Sequence, residues 1–460
     1  SIRMQQCWSE YTRVIPVPKM RSQQVKQVAA GLAVFLSILM LYSAFKSYST
    51  RSVVSLSSAQ SEMLKEQQQQ QQHPKDIFAA ENKAGGQTGA AATPPPSAEE
   101  DTLPPFKPSA LGQPYYVYPK ARTNTSVQVT IVIVVTVGTK MEAFATALNS
   151  VQCYAALHGY TVAVDFDDKF KECGVHKDKF FRRHCHTHRL MQTQIKEGDW
   201  ALFIDGDVGV VNPRHLIEEY MEDGYEIYLF DRFYNWEYAA LSYLVKNNKR
   251  GRGWVEEFSR FEFKLPSSFH GTDNGALHPF LMNYLVPETR NETTISRTAA
   301  LCLSLWKRSG GYEDLFGMQA CTRMVIGERT HFPEHAVKIY QKGDGWAHDL
   351  WIFHSHWATD DFMMHSLKEE NFKPFPSDDA SQKRCRESLL NYEANDACHV
   401  VFPVLKKLNV EKCKAGTEGW LMEGRLQIDN ETRKRVYDKM AYRVLKQQME
   451  LVGKTAGKIE

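Results

Sequence analysis

Beyond residue 125 the chain alternates between apolar strand patterns and helical patterns. Val127 to Val137 is almost continuously apolar and rich in β-branched residues, which is typical of a central strand buried on both faces. MEAFATALNSVQCYAALHGY has helical spacing, and Thr161 to Phe166 follows as a second strand. A helix from about Lys179 to Lys196 precedes a third strand, Trp200 to Ile204. This order predicts parallel strands joined by crossover helices, with helices on both faces of the sheet.

The third strand runs directly into two carboxylates, Asp205 and Asp207. Ligands of open α/β sheets bind at the carboxyl ends of the strands, and two close carboxylates repel each other unless a cation lies between them. Asn212 suits a helix N-cap, Pro213 the first helical position and Gly224 the end. The pattern therefore predicts a strand, an acidic loop and a helix.

The remaining elements are predicted with less regular spacing. Glu226 to Phe230 is a strand, and a loop-rich region follows with SSFHGTDNGALHPF. Leu350 to Phe353 is a short apolar strand inside a His-rich passage. Thr432 to Leu451 is an amphipathic helix with Val436, Met440 and Val444 on one face, which indicates packing.

The first 125 residues have a different organisation. Residues 28–45 are uncharged and long enough for one transmembrane helix, although a signal peptide or a buried core helix are alternatives. Lys and Arg are in excess before this segment, which predicts a cytoplasmic tail at 1–27 and a luminal bulk. Residues 46–125 include a glutamine run and TPPPS, a composition typical of a disordered stem. Residues 126–455 are then the luminal domain of a type II membrane protein.

Composition and cysteine usage support a secretory compartment. The chain has 460 residues and a formal net charge of +2, which does not indicate the strong positive electrostatic field that attracts nucleic acid. Eight of its nine cysteines follow the predicted span, and an even number permits disulfides. Sequons occur at Asn124, Asn291 and Asn430. These features predict residence in the Golgi or the endoplasmic reticulum.

Three interpretations of the Asp205-Gly206-Asp207 motif remain open on the residues alone. The first is a calcium-stabilised or solvated acidic turn. The second is a phosphatase of the haloacid dehalogenase kind, although that family carries its motif on the first strand and two strands precede it here. The third is a glycosyltransferase of the GT-A type, in which a divalent cation held by the aspartates bridges the diphosphate of a nucleotide sugar. The position of the pair after a nucleotide-binding first half favours the third.

Several motifs in one order carry a specific resemblance. RRHCHTH, DWALFIDGDVGVVNP, WEYAALSYLVKNN and LPSSFHGTDNGALH resemble a family expanded in nematodes, catalogued as a domain of unknown function within the nucleotide-diphospho-sugar transferase superfamily. The likeness covers roughly Val127 to Lys368. FIDGDVGVVNP is more distantly similar to yeast and plant galactosyl- and xylosyltransferases, which retain anomeric configuration. The resemblance implies a GT-A fold, Rossmann-like with a mixed, mainly parallel sheet, together with a nucleotide-sugar donor and a divalent metal, commonly Mn²⁺.

The resemblance also implies roles for individual residues. Asp205 and Asp207 are the expected metal ligands, and Asp273 and Asn274 resemble the pair aimed at the reacting sugar or acceptor hydroxyl. Thr272 to Gly275 is alternatively a turn. Arg183 is either a basic donor contact or a helix-surface charge. The expected donor-binding residues are Val137, Gly138, Thr139, Arg183, Asp205, Gly206, Asp207, Ser242 and Lys368.

A histidine near the end of the domain is expected to complete the metal site. DFMMHSLK resembles an ending in which the histidine, here His365, meets the metal and Lys368 a phosphate, with Ser366 in place of a glycine. His356 is the rival, and His348 and His354 are further candidates. The cluster CGVHKDKFFRRHCHTH has irregular spacing for zinc, so its cysteines are expected to form disulfides. Leu241 also departs from the family, in which glycine is expected before Ser242.

The sequence thus predicts a type II membrane glycosyltransferase that is metal-dependent and retains configuration. It transfers a hexose or pentose from a nucleotide-diphosphate sugar, with UDP as the expected nucleotide, to a glycan or glycoconjugate. The alternative from another class is a non-catalytic luminal binding protein on the same fold, suggested by Leu241 and Ser366.

Overall fold

A computed structural model of the chain describes residues 114–457, apart from 123–124, 233–235, 291–293, 351–354, 373–375 and 392–400. The predicted tail, the predicted membrane span, the stem up to residue 113 and two sequons, Asn124 and Asn291, lie outside the described residues. Residues 351–353 of the predicted strand Leu350 to Phe353 also lie outside the described residues. Within the described ranges, no helix is long and apolar enough to cross a membrane. Internal contacts divide the chain into two units. The first contains residues 1–103 and residue 460, and the second contains residues 104–459. Every described residue belongs to the second unit.

The described residues form short strands and α-helices of 5 to 28 residues. The strands are β1 (Tyr115–Val117), β2 (Val129–Val135), β3 (Thr161–Phe166), β4 (Trp200–Ile204), β5 (Gly209–Val210), β6 (Ile227–Phe230), β7 (Ser242–Lys246), β8 (His331–Phe332), β9 (Val337–Tyr340), β10 (Ala347–Asp349), β11 (Met363–His365) and β12 (Trp420–Met422). The α-helices are α1 (Ala145–His158), α2 (Lys179–Thr193), α3 (Lys249–Arg260), α4 (Thr272–Leu285), α5 (Thr294–Lys307), α6 (Tyr312–Ile326), α7 (Asp379–Asn391), α8 (Val410–Lys414) and α9 (Asn430–Gly457).

Seven strands form a mixed central sheet in the order β3-β2-β4-β7-β6-β9-β8. The first half is parallel, because β2 pairs in parallel with both β3 and β4, as the β-α-β-α-β order predicts. Beyond β4 the sheet is mixed: β7 is antiparallel to β4 and to β6, whereas β6 and β9 are parallel. The predicted mixed α/β architecture is confirmed, and β4, which leads into the two aspartates, is an interior strand, the third of the seven.

The core has two layers because successive side chains of a strand point to opposite faces of the sheet. Ile131 and Ile133 of β2 belong to a cluster that includes α1 and the C-terminal segments. Val132 and Val134 belong to the cluster on the other face, which includes residues of α2 to α6. Burial on both faces explains why β2 is continuously apolar in sequence.

A second sheet brings a distant segment to the acidic loop. Its strand order is β10-β11-β5, and β5 begins two residues after Asp207. Met363 pairs with Val210 and Met364 with Gly209 in an antiparallel ladder. The segment from β11 to Lys368 is thereby fixed beside the two aspartates.

The folded unit begins earlier than the sequence predicts. Tyr115–Val117 pairs antiparallel with Trp420–Met422, inside the segment predicted to be stem. Three residues flanked by a Pro-rich composition give no periodic signal, and only the distant partner strand makes them ordered. The predicted stem boundary at residue 125 is therefore wrong for residues 114–122.

Two local predictions are also wrong. No α-helix follows Asn212; residues 212–224 form turns and a single 3-10 turn, Ile217–Tyr220. Asn212 does accept a bond from the Arg214 N–H (3.1 Å), but its amide donates to the Thr359 carbonyl (2.7 Å), and this tertiary contact holds the segment in another path. The segment predicted as loop-rich contains α4, which starts at Thr272.

The C-terminal helix and the cysteines agree with the sequence. Val436, Met440 and Val444 are all buried on α9. Disulfides join Cys153 to Cys413, Cys173 to Cys185 and Cys302 to Cys321, and Cys385 is also disulfide-bonded. The Cys173–Cys185 bond confirms that this cluster uses its cysteines for a disulfide.

Gly209 provides a test of how tightly the acidic loop is packed. A Cβ atom there would lie 2.5 Å from Leu367 Cδ1, 2.9 Å from Ser150 Oγ and 3.1 Å from Ala147 Cα. We expect Gly209→Ala to lower the free energy of unfolding by about 1–3 kcal/mol, because the added methyl forces α1 and the Leu367 segment apart.

Gly253→Ala is the matched control, since a Cβ at that position of α3 meets nothing within 4 Å. It should raise the free energy of unfolding by about 0.5–1 kcal/mol through helix propensity. Denaturant unfolding of both variants measures the two effects. Equal and small changes would show that Gly209 is not closely packed.

Candidate active site

The two aspartates and one histidine meet at the carboxyl end of β4. One ligand atom from each of Asp205, Asp207 and His365 lies within 4.8 Å of the others. Asp205 and Asp207 leave β4 directly, and His365 is the last residue of β11. The Leu367 N–H donates to the Asp207 carbonyl (2.9 Å) and fixes the two segments together. Of the two histidines predicted as ligands, the structure brings His365, and not His356, to the aspartates.

The His365 ring is oriented by a buried carboxylate that sequence reasoning missed. Its Nδ1 lies 2.6 Å from Asp349 Oδ1, and its Nε2 lies 3.4 Å from Asp207 Oδ1. Arg232 donates to both oxygens of Asp349, each at 3.0 Å. A histidine whose Nδ1–H donates to a carboxylate presents Nε2 to a cation in a fixed direction. Asp349 and Arg232 are therefore positioning residues for His365.

Charges in the site are balanced in pairs. Burial and the Asp207 charge raise the pKa of Asp205 against the opposing effect of Arg183. Burial also disfavours ionised Asp207, but His365 and Lys368 outweigh it and lower the pKa of this carboxyl. Burial would lower the pKa of His365, yet Asp207 and Asp349 raise it to about 10. The protonated ring is therefore the counter-charge of these aspartates in the protein without a metal.

Arg183 is an interior residue rather than a helix-surface charge. From α2 it donates to Asp205 Oδ1 (2.6 Å) and to Asp273 Oδ2 (3.2 Å). His184 Nε2 lies 3.2 Å from the same Asp273 oxygen. The pKa of Asp273 is lowered because these partners outweigh its burial. Arg183 thus connects the acidic loop to the first turn of α4.

Asp273 and Asn274 occupy that first turn, and they differ in their remaining capacity to accept hydrogen bonds. Asp273 Oδ1 accepts from the Asn274 N–H (2.8 Å) and the Thr272 hydroxyl (3.2 Å), so both of its oxygens are engaged. Asn274 Oδ1 is buried and has no hydrogen-bond partner among the described residues. Thr272 has a φ of 52°, which is strained for a β-branched residue. The strained turn leaves one amide oxygen that a ligand hydroxyl can satisfy.

The residues predicted to meet the nucleoside lie at the end of β2, next to β4 in the sheet. The Val137 N–H donates to Asp167 Oδ1 (2.8 Å), and the Thr139 N–H closes a turn on the Thr136 carbonyl (3.0 Å). Gly138 has a φ of 85°, and a Cβ there would meet nothing within 4 Å. Gly206 is closer packed, since its Cβ would be 3.6 Å from Phe144. The end of β2 is therefore open to an approaching ring.

The structure places Ser242 below the site rather than at its surface. Its buried hydroxyl donates to the Phe203 carbonyl (2.7 Å) and accepts from Trp346 Nε1 (2.8 Å). The neighbouring Leu241 has its side chain in the core, and its carbonyl accepts from the Asp205 N–H (2.9 Å). These residues support the acidic loop from beneath.

Ser366 and Lys368 follow His365 along the edge of the site. Ser366 has a φ of 79°, the region that glycine adopts without strain, which explains why glycine is the expected residue. Lys368 Nζ lies 3.7 Å from Asp207 Oδ2, and its side chain is 41% exposed. The ammonium group is thus beside the aspartates and accessible from solvent.

Comparisons with other proteins give one family and several distant structures. The family described as "Protein of unknown function, DUF273" matches residues 151–381, which confirms the resemblance to a family catalogued as a domain of unknown function. No curated protein matches the chain. A glycosyltransferase involved in glycosylation of the major capsid of PBCV-1 is 13% identical, over 52% of this chain and 92% of that one, with a TM-score of 0.30. The apo form of the glycosyltransferase GlyE of Streptococcus pneumoniae TIGR4 is 15% identical, over 34% of this chain and 44% of that one, with a TM-score of 0.26.

Asp349→Asn tests the role of the carboxylate behind His365. The amide cannot balance the charge of Arg232 or hold the Nδ1–H as firmly, so we expect Mn²⁺ affinity to fall about 10- to 100-fold. Isothermal titration with MnCl₂ measures the effect, and thermal melting reports whether the variant is folded. Asp360→Asn, at an exposed position, is the matched control and should bind Mn²⁺ as the parent chain does. A folded Asp349→Asn variant with parental affinity would contradict the assigned role.

Proposed function

This chain belongs to the DUF273 family, and we propose that it is a metal-dependent glycosyltransferase that takes its sugar from a nucleotide diphosphate. The observation that carries the proposal is the convergence of Asp205, Asp207 and His365 at the carboxyl end of the central strand β4. In open α/β sheets this edge is where ligands bind. A cluster that served only to stabilise a turn would not need a histidine brought from β11, 158 residues further along (365 − 207).

The residues fit a divalent cation. Two carboxylates and an imidazole are suitable ligands for Mn²⁺ and related ions. The Asp349 carboxylate holds His365 Nδ1, so Nε2 is the nitrogen directed at Asp207. Asp205, Asp207 and His365 would hold the cation, which would supply positive charge to the departing diphosphate.

The chain's own groups account for the rest of the chemistry. Lys368, exposed beside Asp207, is placed to donate to a phosphate oxygen. Val137, Gly138 and Thr139 form the open strand end for the nucleoside. Asn274 offers its unpartnered amide oxygen to a sugar or acceptor hydroxyl. UDP is the nucleotide we propose, and a hexose or pentose the transferred sugar.

Retention of configuration is part of the proposal. Asp273 accepts from Arg183 and His184, and the lowered pKa of its carboxyl makes it a weak base. An inverting enzyme needs a general base that takes the proton of the attacking hydroxyl. Asp273 is poorly suited to that task, which supports retention.

Asp207→Asn tests the enzyme proposal. Asn is nearly isosteric with Asp but removes the charge that a cation requires, so we expect loss of Mn²⁺-dependent UDP binding and at least about a hundredfold loss of UDP-sugar turnover. Isothermal titration with UDP, with and without Mn²⁺, and a UDP-release assay with a panel of UDP-sugars measure both. Asp223→Asn, on an exposed turn, is the matched control.

The outcomes separate the alternatives. Mn²⁺-dependent UDP binding without turnover would favour the non-catalytic binding protein. Phosphate release from small phosphoesters would favour a phosphatase, although Asp205, its nucleophile, has Oδ1 engaged by Arg183 at 2.6 Å. Unfolding on chelation with no UDP binding would favour a structural acidic turn. Full turnover of Asp207→Asn is incompatible with the enzyme we propose.

We further propose a type II orientation, with residues 1–27 cytoplasmic, residues 28–45 in the membrane and the folded unit in the lumen of the Golgi or endoplasmic reticulum. The sequence charge bias and the disulfides support it. Asn430 is exposed at the start of α9, with its amide hydrogen-bonded to Asp360 (2.8 Å).

Glycan removal tests this orientation. Endoglycosidase treatment of the chain expressed in a eukaryotic secretory system should increase its electrophoretic mobility. The variant with Gln at positions 124, 291 and 430 should already migrate at the faster position. A parent chain whose mobility is unchanged by the enzyme would place the folded unit outside the lumen.

A further inference from the structure

Four aromatic side chains form a continuous row beside the first turn of α4. The rings of Phe269 and Tyr312 lie 4.9 Å apart, those of Tyr312 and Phe316 5.9 Å, and those of Phe316 and Trp236 5.1 Å. We call these four residues the aromatic row. It passes from solvent to interior, because Tyr312 is 65% exposed, Phe269 36% and Trp236 only 6%.

The backbone explains why the row lies next to the start of α4. Tyr312 and Phe316 are four residues apart on α6 and therefore share one helix face. Leu315, between them, lies so close to α4 that a Cβ at Gly271 would be 2.3 Å from its Cδ2. The Phe269 N–H donates to the Ser309 carbonyl (3.0 Å) and fixes the other end of the row.

Contacts connect this region to the proposed metal ligands. Gly271 immediately precedes the turn that holds Asp273 and Asn274. Asp273 is joined through Arg183 to Asp205, at 3.2 and 2.6 Å. The start of α4, beside the aromatic row, is therefore connected through Asp273 and Arg183 to the acidic loop.

One buried polar atom in the row and one in the neighbouring turn of α4 have unused hydrogen-bonding capacity. Within the part of the chain that the structure describes, Trp236 Nε1 and Asn274 Oδ1 have no hydrogen-bond partner. Buried groups of this kind are normally satisfied, so one donor and one acceptor await a ligand.

We propose that the aromatic row is the acceptor platform, on which a pyranose ring of a saccharide stacks. The proposal rests on the proposed glycosyltransferase function and names the acceptor class. A pyranose has an apolar C–H face and a polar edge of hydroxyl groups, which matches flat aromatic faces bordered by a donor and an acceptor. A purely apolar ligand, such as an acyl chain, would leave Trp236 Nε1 and Asn274 Oδ1 unsatisfied.

Saccharide binding by substitution variants tests the platform. The full chain, with Mn²⁺ and UDP, is applied to an immobilised panel of neutral and N-acetylated di- to tetrasaccharides. We expect the parent chain to be retained, and Tyr312→Ala and Phe269→Ala to weaken binding about tenfold each because a stacking face is lost. Tyr312→Phe keeps the face and should bind as the parent does. Tyr442→Ala, 73% exposed on α9, is the control for loss of a surface tyrosine.

The same samples separate failure of the platform from failure of the proposed function. Isothermal titration with UDP and Mn²⁺ reports the integrity of the donor site in every variant. If the parent chain binds UDP with Mn²⁺ but binds none of the immobilised saccharides, the acceptor platform is overturned and the glycosyltransferase proposal stands. Unchanged saccharide binding by both alanine variants would also overturn the acceptor platform. Binding of the parent chain to phosphatidylcholine vesicles in place of saccharides would overturn it too. Absence of donor binding by the parent chain would instead count against the proposed function itself.

Discussion

Negative charge held out of water at the carboxyl end of β4 is the constraint on which the rest of the site depends. Ionised carboxylates in such surroundings need compensating charge and hydrogen bonds. Arg183 lies between Asp205 and Asp273, and His365 lies between Asp207 and Asp349. Each aspartate of the motif is thus paired with a basic residue, Asp205 with Arg183 and Asp207 with His365. The side that the two aspartates share is where repulsion remains and where a cation is favourable.

The two basic residues, Arg183 and His365, come from separate elements of the fold, α2 and β11. Contacts of Arg183 and His184 with Phe203 place α2 beside β4, and the pairing of β11 with β5 brings His365 to the acidic loop. Ser366 accepts a left-handed backbone conformation so that His365 and Lys368 both lie beside Asp207. Thr272 accepts a similar strain at the start of α4. Backbone strain of this kind persists where the surrounding structure fixes it, and it is concentrated at functional sites.

Local patterns were sufficient for the parallel half of the sheet and for the acidic loop. β2, β3 and β4 are marked by continuous or β-branched apolar runs, and Asp205 and Asp207 by their position directly after such a run. The partner of His365 could not be found this way, because Asp349 meets it only through the pairing of β10 with β11. Arg232, the other partner of Asp349, lies 117 residues away from it in sequence. Asn212 is a suitable N-cap residue, but its hydrogen bond to the Thr359 carbonyl directs the chain after it away from a helix. In α4 the residues Asp273, Asn274 and Gly275 have turn propensity, and packing against α6 overrides it.

We propose that Asp205, Asp207 and His365 hold one divalent cation against the diphosphate of a nucleotide. Anomalous diffraction at the manganese absorption edge, from crystals grown with Mn²⁺ and UDP, tests it most directly. We expect a single strong peak bounded by the two carboxylates, His365 Nε2 and the phosphates, with Lys368 turned toward a phosphate oxygen. UDP bound with no anomalous peak at this position, or a peak held by other residues, would contradict it.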